Sequence, residues 1–187
     1  MKTLPPPAAR EPVHIRTVTF EGYSREDGLW DVEAEMRDTK AYAMETLDGV
    51  ALRPGQPIHH MKIRMTLDDD YVIRDLQAVT IDAPFQECQA GVPPLQQMVG
   101  VRVGKGWREA IESRLGGVRG CTRLRELLFN MATPAFQTIP HYRKHVRGPV
   151  PPRDGNPPLF MGRCIAWDFD GAVVKRVAPV FAGYRRR

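Results

Sequence analysis

Two stretches of this sequence alternate strictly between apolar and polar side chains: WDVEAEMR at residues 30–37 and MKIRMTL at residues 61–67. A period of two places successive side chains on opposite faces of a strand, so each stretch predicts a half-buried β-strand. A second strand-like segment precedes the first stretch, across the turn REDG. Another follows the second stretch, across the acidic turn at residues 68–70. The economical arrangement is four strands in two hairpins.

The period changes after Pro84. The segment GWREAIESRLGG, at residues 106–117, predicts a helix of about three turns, because its apolar residues fall on one face. A shorter helix is expected at residues 93–100, and a third should start near Cys121 and be bent or ended by Pro134. The predicted class is α+β, with an antiparallel sheet of about four to six strands packed by about three helices.

Proline-rich segments divide the chain. Residues 1–12 are expected to form an extended arm, and residues 13–140 are expected to form a single α+β domain. Residues 141–187 predict a proline-rich, basic C-terminal extension, in which residues 163–169 and 172–181 are expected to form a terminal hairpin.

Charge and cysteine content narrow the partners and the compartment. The net charge is +5 over 187 residues, but much of it lies in two basic clusters without interleaved aromatic residues, so nucleic acid is not an expected partner. No apolar run reaches the roughly 18 residues of a membrane span, so no membrane partner is expected. The three cysteines are an odd, sparse set that argues against a disulfide framework. A cytoplasmic protein with reduced thiols is expected.

Four residues are candidates for one site. His59 lies where a loop enters the third strand, Cys88 follows the fourth strand, and Cys121 starts the third helix. Such positions can converge, and an imidazole with two thiolates suits zinc or iron, with Asp82 or Glu87 completing the ligands. The predicted metal ligands are therefore His59, Cys88, Cys121 and Asp82. If the chain is an enzyme, Cys121 and His59 are its predicted catalytic residues, since a helix N-terminus favours a thiolate.

Other interpretations of these residues stay open. Free cysteine is often buried, so Cys88 and Cys121 can equally be small apolar fillers. Adjacent histidines point to opposite faces of a strand, so at most one of His59 and His60 faces any site. His14 and Arg16 share a face of the first strand, where they can bind an anion or pair across the hairpin with Glu33 or Glu35.

Residues 14–40, 58–88 and 116–128 together resemble the bacterial domain-of-unknown-function family numbered 2889, and the resemblance covers residues 13–138. It implies no established activity. Members of that family read Gly-Cys-Thr-His-Leu where this chain has Gly120, Cys121, Thr122, Arg123 and Leu124. A role for that histidine would be lost or altered here.

The order of His59, an apolar strand, an acidic turn, a returning strand, Cys88, a helix and Cys121 is also similar to the NifU-type iron–sulfur scaffold domain. That domain is α+β and holds zinc or a cluster through cysteines and an aspartate. The resemblance implies that Cys88 and Cys121 occupy two cysteine positions and His59 that of the aspartate. The first scaffold cysteine has no counterpart, which argues against cluster assembly and leaves a mononuclear metal or a thiol site open.

Two functions remain open. The first is a metal- or thiol-centred site that serves iron–sulfur or metal handling, or an enzymatic step on a small organic substrate. The second is a non-catalytic accessory module that binds a partner protein through the sheet face with His14 and Arg16, the proline-rich segments and the basic tail. No phosphate loop or dinucleotide fingerprint occurs, so no nucleotide cofactor is expected. A homo-oligomer is compatible with either function.

Overall fold

The computed structural model describes residues 3–148, 155–158 and 160–185. It divides into two compact units, Met1–Ala135 and Phe136–Arg187, and the boundary falls within one helix. Each unit has its own arrangement of elements. Residues 3–13 are exposed and form neither helix nor strand.

The first unit is built on an antiparallel sheet. The strands are β1 (His14–Ser24), β2 (Trp30–Lys40), β3 (Met44–Glu45), β4 (Ala51–Leu52), β5 (Pro57–Leu67) and β6 (Ile73–Asp82). The four long strands pair in the order β1-β2-β5-β6, and β3 and β4 form a separate two-stranded ribbon in the connection between β2 and β5. The chain is α+β, as predicted, with its long strands in two hairpins.

The alternation in β2 and β5 separates a buried face of the sheet from an open one. Charged side chains such as Glu33 and Arg64 lie on the open face, where Arg64 Nε donates to Glu33 Oε1 at 2.6 Å. Burying one face of each strand fixes the register, because a slip by one residue would turn the apolar set toward water. The buried apolar residues of β2 and β5 are Trp30, Val32, Ala34, Met36, Met61, Ile63, Met65 and Leu67.

Helical elements supply the other half of this core. Two short 3-10 helices, Gln86–Gly91 and Pro93–Met98, lead to α1 (Trp107–Leu115), and a third, Gly117–Arg119, leads to α2 (Thr122–Arg147). The indole Nε1 of Trp107 donates to the backbone oxygen of Leu128 at 3.1 Å in a buried hydrogen bond that joins α1 to α2. The predicted positions of all three helices are confirmed.

Pro134 is predicted to bend or to end the third helix; it does not end it, since α2 continues to Arg147. A proline inside a helix removes one backbone hydrogen bond and strains the preceding turn. Here the apolar face continues on both sides of it, with Met131, Ala135 and Ile139 all fully buried. Burial of that face outweighs the lost hydrogen bond.

The predicted terminal hairpin is also wrong. Residues Ile165–Trp167 form a 3-10 turn and Ala172–Val177 form a short helix, α3. Asp168 starts the turn between them, since its side chain accepts from the Asp170 N–H at 3.1 Å. The second unit thereby collects a small apolar core of its own, made of Met161, Phe169, Val174 and Phe181.

Within the described ranges, no helix combines the length and the apolar character that crossing a membrane requires.

Candidate functional site

The two cysteines predicted to share a site do line one open cleft of the first unit. Its volume is about 580 Å³, and Asp48, Glu87 and Arg119 also line it. Cys88 lies in the 3-10 helix Gln86–Gly91, and Cys121 directly precedes the first residue of α2. Both are free thiols and both are partly exposed. Residues that lie more than thirty positions apart in the sequence thus form one surface.

Close backbone packing builds this cleft. A Cβ placed on Gly91 would lie 2.6 Å from the Cβ of Cys121, so the turn that carries Cys88 contacts Cys121 directly. A Cβ on Gly120 would lie 2.8 Å from the backbone oxygen of Leu115, at the end of α1. Real Cβ atoms do not approach this closely, so both positions require glycine. These contacts hold the two cysteines in neighbouring walls.

Cys121 lies next to the first turn of α2. The backbone N–H groups of a first helical turn have no partner within the helix, and they carry partial positive charge. Arg119 lies in the same cleft, and its Nη2 donates to the backbone oxygen of Glu112 at 3.0 Å, which fixes its side chain. Glu87 and Asp48 bring negative charge to the cleft. The cleft therefore offers both signs beside two thiols.

His59 lies outside the residues that line this cleft. It is buried, and its Nδ1 lies 3.4 Å from Asp38 Oδ2 on the neighbouring strand. Burial lowers the pKa of His59, and the charge of Arg123 lowers it further, against the opposing effect of Asp38. The lowered pKa of His59 favours the neutral imidazole, which contacts a carboxylate.

Asp38 is the centre of a buried polar cluster at this end of the sheet. It accepts from Arg16 Nε at 2.7 Å and from Arg16 Nη2 at 2.9 Å, and His14 Nε2 lies 3.1 Å away. Burial alone would raise the pKa of Asp38, but the hydrogen bonds and charge of Arg16 prevail and lower it. The guanidinium also reaches α2, where Arg16 Nη1 donates to Glu126 Oε2 at 2.7 Å.

The predicted pairing of His14 and Arg16 with Glu33 or Glu35 is therefore wrong. The strand register sets Arg16 opposite Asp38, while Glu33 and Glu35 stand on the other face of β2. Every second residue of β2 from Trp30 to Asp38 is buried, and Asp38 is the one charged residue in that buried series. A carboxylate at a position where the alternation predicts an apolar side chain was the sequence signal for this cluster. That signal was missed.

His60 and Asp82 contact each other apart from both the cysteine cleft and the Asp38 cluster. His60 Nε2 lies 2.8 Å from Glu35 Oε1, and His60 Nδ1 lies 3.5 Å from Asp82 Oδ2. The two histidines thus contact different partners from opposite faces of β5, as strand alternation predicts. Asp82 is not among the residues that line the cysteine cleft.

Of the four predicted metal ligands, the structure brings together Cys88 and Cys121, and it places His59 and Asp82 in other contacts. Within residues 3–148, 155–158 and 160–185, no three histidine, cysteine, aspartate or glutamate side chains are grouped so that they could hold a metal ion. The arrangement is a pair of thiols in an open cleft. A structural zinc site needs four protein ligands around one metal ion, and this cleft brings together two of the four predicted ligands.

A family model described as "Protein of unknown function (DUF2889)" matches residues 14–137, which hold the whole sheet, the cysteine cleft and the Asp38 cluster. The chain belongs to this family. The family description assigns no activity, so the function must be argued from the site.

No curated protein and no solved structure matches the chain. The similarity to the NifU-type scaffold domain finds no support in these comparisons and stays a prediction.

Proposed function

We propose that this DUF2889 protein acts through a thiol centre, the cleft that carries Cys88 and Cys121, and that its ligand is a small organic molecule with an electrophilic atom. One observation carries the proposal: two free cysteines, distant in sequence, line the same open cleft. Packing alone does not require that both thiols remain partly exposed, because a cysteine used as an apolar filler is normally buried.

Cys121 is the proposed nucleophile. It directly precedes the first residue of a long helix, and Arg119 lines the same cleft. A helix N-terminus is a position where reactive cysteines are found. The thiolate is the reactive form of cysteine, so this position favours attack on an electrophilic centre. Cys88 and Glu87 line the same cleft and are proposed to orient the substrate. Because His59 contacts Asp38 instead, we assign it no step in this chemistry.

The test compares alkylation rates of individual cysteines by iodoacetamide, followed by peptide mass spectrometry. Cys164 is the internal control, because it is exposed in the second unit whereas Cys121 is only partly exposed. If access alone governs reactivity, Cys164 reacts first. The proposal expects Cys121 to react faster than Cys164 at neutral pH, despite its lower exposure. A slower Cys121 would identify it as a packing residue.

A metal ion is the second ligand class to consider, because two thiols border one cleft and thiolates suit zinc or iron. Since no third protein ligand of the described residues is grouped with them, water or a substrate atom would have to complete the coordination. A metal-handling role, NifU-like in chemistry, therefore remains a proposal. Purified protein would then carry near-stoichiometric zinc or iron by plasma mass spectrometry, and Cys121→Ser would lose it while Cys164→Ser kept it. Metal-free wild type with a fast-reacting Cys121 would favour the organic substrate.

The accessory-module alternative is less well supported. Two of its proposed contact residues, His14 and Arg16, are engaged by Asp38 within the chain. Residues 149–154 of the proline-rich segment and residues 186–187 of the basic tail lie outside the described residues. A cytoplasmic location fits the thiol centre best, since a reducing compartment keeps cysteines free.

A further inference from the structure

The two edge strands of the main sheet, β6 and β1, differ in how far their outer backbone groups are hydrogen-bonded. The outer edge of β6 is covered: the Ile73 N–H donates to the Val101 oxygen at 3.0 Å, and the Gly100 N–H donates back to the Ile73 oxygen at 2.8 Å. Farther along, the side-chain amide of Gln89 donates to the Thr80 oxygen at 2.8 Å, and that of Gln96 to the Leu76 oxygen. Little of that edge remains free to pair.

The opposite edge, β1, is open. In the described part of the chain its strand partner is β2 alone. Every residue of β1 except Phe20, which is half-buried, is exposed, although apolar side chains stand along it. Ile15 is 52% exposed and Tyr23 is 44% exposed. Such a strand offers a row of backbone donors and acceptors together with apolar side chains.

Two of the usual protections against edge pairing, a proline and a bulge, are missing from β1. Its charged residues are Arg16, which is bonded to Asp38 within the chain, and Glu21. Its eleven pairs with β2 run from His14 to Ser24 without a register shift, whereas the β2–β5 and β5–β6 pairs each contain at least one. Natural edge strands are commonly shortened, bulged or charged to prevent association. A long, regular and uncovered edge is therefore expected to have a partner strand.

We propose that the partner is β1 of a second copy, paired antiparallel about a two-fold axis at Thr19 to make one continuous eight-stranded sheet. Isologous pairing of this kind is the common geometry of homodimers. In this register apolar side chains meet one another and no like charges are opposed. The opposed pairs are Ile15 with Tyr23, Thr17 with Glu21, Val18 with Phe20, and Thr19 with Thr19.

Neighbouring registers fit worse. The two copies present the same strand edge, so the sum of paired residue numbers must be even, and only shifts by two are allowed. A shift one way sets Ile15 against Glu21. A shift the other way opposes the two Phe20 side chains, but it sets Val18 against Gly22 and leaves Ile15 without a partner in the strand. Only the pairing about Thr19 uses all eleven residues of β1. Aromatic and β-branched cross-strand pairs stabilise a sheet, and charge against an apolar residue does not. The sequence of β1 is thus self-complementary about Thr19. This inference does not depend on the cysteine cleft.

The first experiment is cysteine cross-linking in the full chain. In the proposed dimer the two Thr19 Cα atoms lie about 5 Å apart, within disulfide reach, while the two Thr17 Cα atoms lie roughly 14 Å apart. Under mild oxidation, Thr19→Cys should give a dimer whose two chains are joined by a disulfide at position 19, identified as a cross-linked peptide by mass spectrometry. Thr17→Cys is the matched control, on the same exposed face, and should give no such link. Linkage through position 17 instead, or through neither, would overturn the proposal.

The second experiment uses charge. Thr19→Lys would oppose two lysines across the axis, whereas Thr17→Lys would oppose Glu21 of the other copy. Within one chain the effects run the other way, because Thr19 stands opposite Glu35 and Thr17 opposite Arg37. Loss of association in Thr19→Lys therefore cannot be blamed on a weakened fold. Sedimentation velocity should show a wild-type dimer that Thr19→Lys weakens at least about twofold and Thr17→Lys does not. A wild type that stays monomeric at about 100 μM, the affinity range of weak complexes, would refute the dimer.

Discussion

At the scale of single residues, Asp38 and His59 show how a buried polar group is tolerated. Asp38 is 3% exposed, yet it has four neighbouring nitrogen atoms from three side chains within 3.4 Å. A buried carboxylate is costly unless it is hydrogen-bonded and paired. This cluster fastens β1 to β2, β5 and, through Glu126, to α2.

Replacing Asp38 with asparagine should destabilise the fold. The change removes the negative charge opposite Arg16 and replaces one of the two accepting oxygens with an NH2 donor, so at least one of the two hydrogen bonds from Arg16 is lost. Because Arg16 is itself partly exposed to solvent, we expect a loss of about 1.5 to 3 kcal/mol in the free energy of unfolding, measured by urea denaturation. Glu126→Gln is the control, since Glu126 is more exposed, and it should cost under about 1 kcal/mol. Equal losses in the two variants would contradict a central role for Asp38.

His59 should make stability depend on pH. Its pKa is lowered in the fold, so the unfolded chain takes up a proton first as the pH falls. Its contribution is therefore complete above the unfolded pKa of about 6.5 and declines below it. The pKa of Asp38 is also lowered, so its contribution declines at more acidic pH, below about 4. Urea midpoints of wild type should fall between pH 7 and 5, and His59→Gln should flatten that decline. Parallel curves for the two proteins would exclude His59 as the cause.

At the scale of elements, the cleft depends on how closely a 3-10 turn approaches the start of α2. Gly91 allows that approach because it has no side chain to displace Cys121. Cys88 lies in the 3-10 turn and Cys121 directly precedes α2, so the two thiols share a cleft only because these two elements are in contact.

Gly91→Ala should open or distort the cleft. The added Cβ would meet the Cβ of Cys121, which is anchored to the backbone and cannot swing away. Overpacking of this kind typically costs about 1 to 3 kcal/mol. We expect a lower denaturation midpoint and an altered alkylation rate at Cys121. Ala90→Ser tests specificity, since Ala90 borders the same cleft with an exposed side chain, and it should leave both quantities unchanged.

At the scale of the whole molecule, the described residues form two apolar cores, one in each unit. The first lies under the sheet, and the second surrounds Phe169 and Val174. Separate cores are expected to unfold locally with separate free energies. The chain therefore need not respond as one cooperative body.

Phe169→Ala should report on this independence. Removing a buried phenyl ring costs roughly 3 to 5 kcal/mol in a core. We expect hydrogen exchange, followed by mass spectrometry, to accelerate in residues 160–185, while β2 and β5 keep their protection. Met65→Ala, in the fully buried middle of β5, is the reciprocal change and should expose the sheet instead. Faster exchange in β5 on loss of Phe169 would show that the cores are coupled.

Part of the candidate site was visible in the sequence and part was not. That Cys88 follows a strand and Cys121 starts a helix is local information, and both placements are correct. Whether His59 joins them depends on which face of β5 it occupies and on what covers that face. His59 contacts Asp38 there, and no residue near His59 in the sequence predicts that contact.

The sequence by itself determined the four long strands and the starts of the helices, because the phase of apolar side chains is a local property of the chain. It did not determine the passage of α2 through Pro134, the helical turn at residues 172–177, or the separation of His59 from the two thiols. Those features depend on burial against residues far away in the sequence. Only the tertiary structure brings such residues together, and there the gain from burial outweighs local preference.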